Sequence, residues 1–293
     1  MEENNTFLIH LNDYNDLHTI DFKLPVIILA ESGGTKTDWR IKSKNQITAF
    51  ETCNFHPKTI SIAQKKVIEI LIKNIPTNST LYFYGSGCLQ AENQEIIKIL
   101  FEPLALKKIF VKSDLVAAGV SIYGINEGYV GILGTGSVLC KYNNEQINTI
   151  LGGYGYLLGD EGSGYYFGKL AIQKYLDNQC SIEYKELIET TFGNRSFLLE
   201  KIYGNDGKKF IGEFQLHTEN TDLKLEINSI HRENIELFLT KYLPKNKTIA
   251  EISFVGSYAF FNEELLKESL LKRGVRLKKT IQKPIYELMK FHF

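Results

Sequence analysis

Two turns rich in small residues hold the clearest chemical potential in this chain. The first, Gly33-Gly34-Thr35-Lys36, follows the apolar run Val26-Ile27-Ile28-Leu29 and precedes a strand-like segment, Trp39-Arg40-Ile41. Glycine has no Cβ, so backbone N–H groups there can approach a ligand closely and point the same way. Thr35 adds a hydroxyl and Lys36 a positive charge, a combination that favours phosphate. An ordinary polar hairpin turn uses the same residue types. The second turn, Gly134-Thr135-Gly136-Ser137, lies between Val130-Gly131-Ile132-Leu133 and Val138-Leu139-Cys140-Lys141-Tyr142. If both turns face one ligand, they clamp a polyphosphate from two sides.

Three further features carry chemistry. Asp114 follows the strand-like run Ile109-Phe110-Val111 and precedes the small, apolar Leu115-Val116-Ala117-Ala118-Gly119. It can accept a proton from a ligand or cap the helix that starts at Leu115, and spacing alone favours the cap. The stretch from Gly152 to Gly164 is dense in glycine, which costs conformational entropy and so calls for a reason. Its Asp160 and Glu161 can accept hydrogen bonds from sugar hydroxyls, whereas Tyr154, Tyr156, Leu157 and Leu158 are expected to seek burial. Gly256-Ser257 follows the strand Ile252-Ser253-Phe254-Val255. It either lets a planar ring lie against the backbone beside helix donors or is a plain connection with Ser257 near the N-cap.

The elements that must position these residues follow from periodicity. Gln46-Ile47-Thr48-Ala49-Phe50 alternates as a third antiparallel strand, and Ile60, Ala63, Val67, Ile70 and Leu71 predict a helix over 59–74. Leu81-Tyr82-Phe83-Tyr84 is a strand ending in Gly85-Ser86-Gly87, followed by a helix over 91–101, the strand at Ile109 and a helix over 115–123. The pattern of strand, Gly-Thr turn, strand then restarts at Tyr129. It is followed by several helices to about 242, a strand, a helix over 262–273, a strand near Val275 and a short last helix. This internal echo suggests two α/β lobes facing each other, with small ligands between them.

Composition sets the class. The chain has 293 residues, 43% of them hydrophobic and 23% charged, enough for a sizeable core. Lys+Arg and Asp+Glu balance at 34 each, which gives no electrostatic reason to expect nucleic acid or an anionic membrane. No apolar stretch approaches the ~20 residues of a spanning helix. Cys53, Cys88, Cys140 and Cys180 form no CxxC pair, so neither zinc nor a redox motif is indicated and a reduced, cytoplasmic chain is expected. Residues 1–24 are polar, lack the pattern of a signal peptide, and are expected to form a poorly packed extension or a small added element.

Taken together, five motifs resemble the sugar-kinase, heat-shock-protein-70 and actin superfamily, and within it the N-acetylglucosamine kinases and the related BadF/BadG/BcrA/BcrD ATPase group. They are Glu31–Trp39, Ser113-Asp114 with Ala117-Ala118-Gly119, Gly131–Ser137, Gly159–Gly164 and Phe254–Ser257, in that order from about Val26 onward. The resemblance implies an α/β fold of two ribonuclease-H-like, actin-like ATPase lobes, residues 25–118 and 119–293, the second with a helical insertion. It implies ATP-dependent phosphorylation of an amino sugar, N-acetylglucosamine first, at its 6-hydroxyl. By similarity Gly33, Gly34, Thr35, Lys36, Gly134, Thr135 and Gly136 hold the ATP phosphates, and Gly256 and Ser257 lie by the adenosine. Asp114 is the general base and contacts the sugar, along with Asn54, Gly153, Tyr154, Gly155 and Asp160. Glu31 meets Mg²⁺ through water. Glu31 stands where many relatives have Asp, and Val138 where Asn is frequent. The small-residue helix that often closes related kinases is absent, and the leader has no familiar counterpart. Homodimers are common in this family. The alternatives on the same fold are an ATPase that activates a dehydratase through a shared iron–sulfur cluster, disfavoured by the scattered cysteines, and a non-catalytic sugar or nucleotide sensor, which better suits a chain lacking Asp114 or a Gly-Thr turn.

Overall fold

A computed structural model describes residues 7–214, 223–244 and 249–293. In chain order the elements are β1 (Phe7–His10), β2 (Ile27–Ser32), β3 (Lys36–Ser43), β4 (Gln46–Cys53), α1 (Ile62–Asn74), β5 (Thr80–Gly85), α2 (Ala91–Phe101), β6 (Lys108–Ser113) and α3 (Asp114–Tyr123). There follow β7 (Glu127–Leu133), β8 (Ser137–Asn143), β9 (Gln146–Gly152), α4 (Gly164–Leu176), α5 (Ile182–Phe192), α6 (Arg195–Tyr203), α7 (Gly207–Glu213) and α8 (Lys224–Tyr242). The chain continues through β10 (Glu251–Val255), α9 (Ser257–Phe261), α10 (Glu263–Leu271), β11 (Arg276–Ile281) and α11 (Ile285–His292). The expected α/β architecture is present. Two compact units divide the chain: one holds the residues up to Glu127 with Tyr142–Ile147 and Pro284–Phe293, the other Gly128–Lys141 and Asn148–Lys283.

In the first unit six strands run in the order β1-β4-β3-β2-β5-β6. β2, β3 and β4 form the expected antiparallel meander, and β2, β5 and β6 are parallel neighbours. Trp39, Phe55, Phe83 and Phe101 fill the core without exposure. Trp39 stacks on Phe50 at 5.9 Å, and its indole N–H donates to Thr52 Oγ1 at 2.8 Å, so the ring is apolar in its body and satisfied at its polar end. The helix foreseen over 59–74 starts only at Ile62, because Ser61 and Gln64 form a capping box that fixes the first turn there. The leader is the small added element of the two alternatives: β1 pairs in parallel with β4, and a 3₁₀ turn, Tyr14–Thr19, buries Leu17 fully. The lobe boundary expected at 118 falls inside α3. That helix runs on to Tyr123, packed on β2, β5, β6 and α11, and the division comes after Glu127. A Cβ on Gly119 would meet the Tyr142 ring at 2.0 Å, so the helix approaches that ring only through glycine.

The second sheet has the order β11-β10-β7-β8-β9, with β10 parallel to both β7 and β11. Its unit buries Phe167, Tyr184, Phe214, Phe238 and Phe254 in one core built largely from helices α4 to α8. α9 is an extra single turn where a plain loop into the following helix was expected. Among the described residues no helix is long and apolar enough to cross a membrane, and all four cysteines are free thiols.

Candidate functional site

Strand register gathers the first set of site residues. Ser32 lies opposite Gly85, and Gly85 opposite Ser113, so the three parallel strands β2, β5 and β6 end in one row. The Gly33 turn, Gly85-Ser86 and Asp114 therefore leave the sheet side by side at its carboxyl edge, where open α/β sheets bind ligands. The turn closes through the Gly33 N–H donating to the Lys36 carbonyl at 3.0 Å. Ser86 Oγ donates to the Gly33 carbonyl at 3.3 Å and Asn54 Nδ2 to the Gly34 carbonyl at 3.1 Å. Asn54 is held in turn by Gln64 of the α1 capping box, whose Nε2 donates to its carbonyl at 2.7 Å.

Internal geometry does not require glycine in this turn. Neither Gly33 nor Gly34 has a left-handed φ, and a Cβ on Gly34 would meet nothing within 4 Å. The space beside Gly34 is therefore open. Lys36 is directed differently from the sequence expectation: its ammonium sits on the Glu51 carboxylate at 2.6 Å.

Ser113, not Asp114, is the N-cap of α3, its Oγ accepting the Val116 amide at 3.4 Å. This corrects the reading from spacing alone, which favoured Asp114 as the cap. Asp114 is the first helical residue, and its Oδ1 accepts the Leu115 amide at 3.0 Å. Burial pushes its carboxyl up to about 6, against the lowering effect of that amide. A carboxyl so placed is mostly ionised at neutral pH yet basic enough to take a proton.

Glu31 lies opposite Asp38 across the β2–β3 pair, so both carboxylates project to one face of the sheet. Asp38 is committed to the buried Arg40 guanidinium at 3.5 Å. Among the described residues no group of three or more His, Cys, Asp or Glu side chains converges to hold a metal. Mg²⁺ needs none, because it is commonly held by one or two carboxylates, water and substrate phosphates. A cavity of about 350 Å³ in the same unit, lined by Tyr82, Tyr84, Phe110, Lys112, Glu145 and His292, contains none of the residues singled out from sequence.

The second unit gathers the remaining set around the other turn. Here the Gly134 N–H donates to the Gly136 carbonyl at 3.0 Å, and the Gly164 N–H at the start of α4 donates to the Gly134 carbonyl at 2.8 Å. Asp160, held at φ +66°, accepts the Ser137 amide on Oδ1 at 3.1 Å. Its carboxyl is raised by burial, partly offset by that amide. A Cβ on Gly136 would stand 3.2 Å from the same carboxylate. Gly256, at φ +116°, packs so tightly that a Cβ would lie 2.4 Å from the Leu133 carbonyl oxygen. The turn, Asp160 and Gly256 are thus brought together, with Ser257 the first residue of α9 and Gly256 its N-cap.

The glycine-rich loop departs from expectation at two points. Glu161 is consumed internally: Lys241 donates to it at 2.5 Å and the Tyr242 hydroxyl at 2.6 Å. Burial alone would raise its carboxyl, but these two hydrogen bonds hold it below the usual range. Leu157 and Leu158 are 75% and 77% exposed rather than buried, and Tyr154 61% exposed, resting edge-on against Tyr242. Only Tyr156 packs inward, against Tyr165 at 5.4 Å. Gly153 and Gly155 both take left-handed φ, a conformation that glycine adopts without strain. Sequence reasoning missed Ser86 and Asn234. The Gly85-Ser86-Gly87 triplet was a visible signal for the first; Asn234, mid-helix on α8, gave none.

This fold is that of the actin-like ATPases and sugar kinases, the class that the ordered motifs resemble. No family model matches the chain. It is 25% identical over 262 residues to the N-acetylmuramic acid/N-acetylglucosamine kinase of Clostridium acetobutylicum, covering 85% of this chain and 76% of that one. A crystal structure of a proposed N-acetylglucosamine kinase from Porphyromonas gingivalis superposes with a TM-score of 0.76 at 26% identity, covering 91% of this chain and 98% of the other. One from Chromobacterium violaceum shares the fold with a TM-score of 0.66 at 17% identity, covering 92% and 99%. The chain is therefore similar over most of its length to proteins of the N-acetylglucosamine kinase group.

Proposed function

We propose that this chain is an ATP-dependent kinase of an amino sugar, N-acetylglucosamine first, that forms the 6-phosphate. The observation that carries the reading is Asp114. A serine relieves it of capping, the ends of three parallel strands place it in a row with a glycine turn, and burial poises its carboxyl near 6. The names borne by the relatives from C. acetobutylicum and P. gingivalis support the same class of acceptor.

In this reading Gly33–Lys36 and Gly134–Gly136 bind the phosphates of ATP through backbone N–H groups, and Gly256-Ser257 adjoins the adenosine. Asn54, the Gly153-Tyr154-Gly155 segment and Asp160 orient the sugar. Asp114 accepts the proton of the 6-hydroxyl as its oxygen attacks the γ-phosphorus. Glu31 is the residue that would hold Mg²⁺ through water, and the ion, when bound, neutralises charge on the phosphates. Little covalent work falls to the protein in such a transfer; positioning and charge do most of it. N-acetylmuramic acid carries the same 6-hydroxyl and N-acetyl group, so it is the natural competitor.

An ADP-release screen with N-acetylglucosamine, N-acetylmuramic acid, N-acetylmannosamine, glucosamine and glucose tests the reading. ADP release stimulated by an N-acetylated sugar is expected, with the product carrying phosphate on O6 by NMR. A chain that turns over no sugar is instead a sensor, and the proposal fails.

A further inference from the structure

Asn234 of α8 is fully buried, and all of its polar groups are used. Its Oδ1 accepts the Gly162 amide at 2.7 Å, while Nδ2 donates to the Ser163 carbonyl at 2.9 Å and to the Tyr258 hydroxyl at 2.8 Å. Tyr258, the second residue of α9, is likewise buried, and its hydroxyl lies 2.9 Å from His231 Nδ1. The hydroxyl accepts a hydrogen bond from Asn234 and has a hydrogen of its own to donate. Burial lowers the His231 pKa to about 4, so its imidazole is neutral and one ring nitrogen is free to accept. The ring stacks on Phe167 at 4.1 Å.

These contacts close a circuit. Gly256 packs on the Leu133 carbonyl at the root of the second turn, the Gly134 carbonyl accepts the Gly164 amide, and Ser163 is tied through Asn234 to Tyr258, two residues from Gly256. Gly162 lies against α8 so closely that a Cβ would come within 2.7 Å of Phe238 Cβ. Apolar side chains could fill the same volume without desolvating three polar groups. A fully satisfied polar network adds a unique relative orientation of the parts it joins.

We propose that Asn234, Tyr258 and His231 form a positioning relay that links the seating of the nucleotide at Gly256-Ser257 to the conformation of the sugar loop Gly159–Gly164, so that the two substrates bind cooperatively. The inference rests on the kinase reading above. The three side chains touch neither substrate; they act through the backbone of α9 and of the loop.

Calorimetric titration of the full chain with N-acetylglucosamine, with and without a non-hydrolysable ATP analogue, tests it. The nucleotide is expected to tighten sugar binding at least about fivefold, the usual scale of coupling between sites. In Tyr258→Phe that factor falls below about twofold, while each ligand alone binds within about threefold of wild type. A merely structural tyrosine would weaken both ligands and leave the factor intact. Wild-type protein that turns over sugar but shows no coupling, or coupling that survives Tyr258→Phe, overturns the relay alone; wild-type protein that turns over no sugar overturns the kinase reading and the relay with it. Should the variant fail to fold, hydrogen exchange on the wild type decides. The analogue alone must slow exchange at the Gly162 and Gly164 amides, and unchanged exchange overturns the relay.

Discussion

The two glycine turns are near twins in sequence and differ in what holds them. Around the second, one glycine is free, since a Cβ on Gly134 would meet nothing within 4 Å, but one on Gly136 would stand 3.2 Å from the Asp160 carboxylate, and one on Gly256, beside the turn, collides with the Leu133 carbonyl. Around the first, nothing internal demands glycine. A Cβ on Gly33 would find its nearest neighbour, the Lys36 carbonyl, at 4.0 Å, and one on Gly34 would find none. The second turn is braced in part by its neighbours; the first is not.

Asp114, in one row with the first turn at the strand ends, gives the largest expected effect on that side of the comparison. Asp114→Asn keeps an oxygen for the Leu115 amide and removes the proposed base, so kcat is expected to fall by about 10²–10⁴-fold while nucleotide affinity holds. Wild-type kcat/KM falls below pH ~6, as the carboxyl whose pKa lies at about 6 takes up its proton. The folded-state value lies above that of the unfolded chain, so the unfolded state releases this proton first and stability drops as pH rises from about 4 to 6. Asp114→Asn is therefore more stable at pH 7, by of order 1–3 kcal/mol, and the gain disappears near pH 4. Thermal melts across that range check the sign; a variant less stable at pH 7 refutes the assignment of a desolvated base.

Alanine in the first turn and at the glycine packed beside the second breaks the comparison directly. Gly256→Ala places a side chain at φ +116° against the Leu133 oxygen, so unfolding stability drops by about 2–4 kcal/mol or the chain fails to fold. Gly34→Ala leaves stability within about 0.5 kcal/mol, as expected for a site without contacts. It weakens nucleotide binding about tenfold, equivalent to ~1.4 kcal/mol. Equal loss of stability in both variants would erase the distinction between the surroundings of the two turns.

Much of this was legible because local signals agreed. α2 spans the predicted residues, and the β2–β3–β4 meander followed from alternation around a glycine turn. The illegible parts depend on competition between neighbours or on contacts remote in sequence. Ser113 and Asp114 are both good caps, and only the backbone at the strand end selects the serine. Glu161 looked available for a sugar until Lys241 and Tyr242, 80 and 81 positions away, claimed it. Tyr242 and the tethers from Ser163 and Gly162 to α8 also hold the loop in place, which lets Leu157 and Leu158 stay exposed. Asn234 carried no pattern at all, since a lone amide in a helix announces nothing until its partners are known.

Lys36 gives the smallest effect and the finest test of what the first turn uses. Sequence assigned its charge to phosphate, but its ammonium is shared by both oxygens of Glu51 at 2.6 Å, near the start of β3 and the end of β4. Both side chains are close to half exposed, so the pair contributes no more than about 1 kcal/mol to stability. If the backbone is the phosphate ligand, Lys36→Met lowers nucleotide affinity by less than about threefold, well short of the tenfold loss at Gly34. Glu51→Gln then frees the ammonium, and a rise in nucleotide affinity in that variant, lost again on adding Lys36→Met, measures how much of the charge the ion pair withholds. An affinity loss at Lys36 equal to or greater than that at Gly34 would transfer the turn's binding role from its backbone to its side chain.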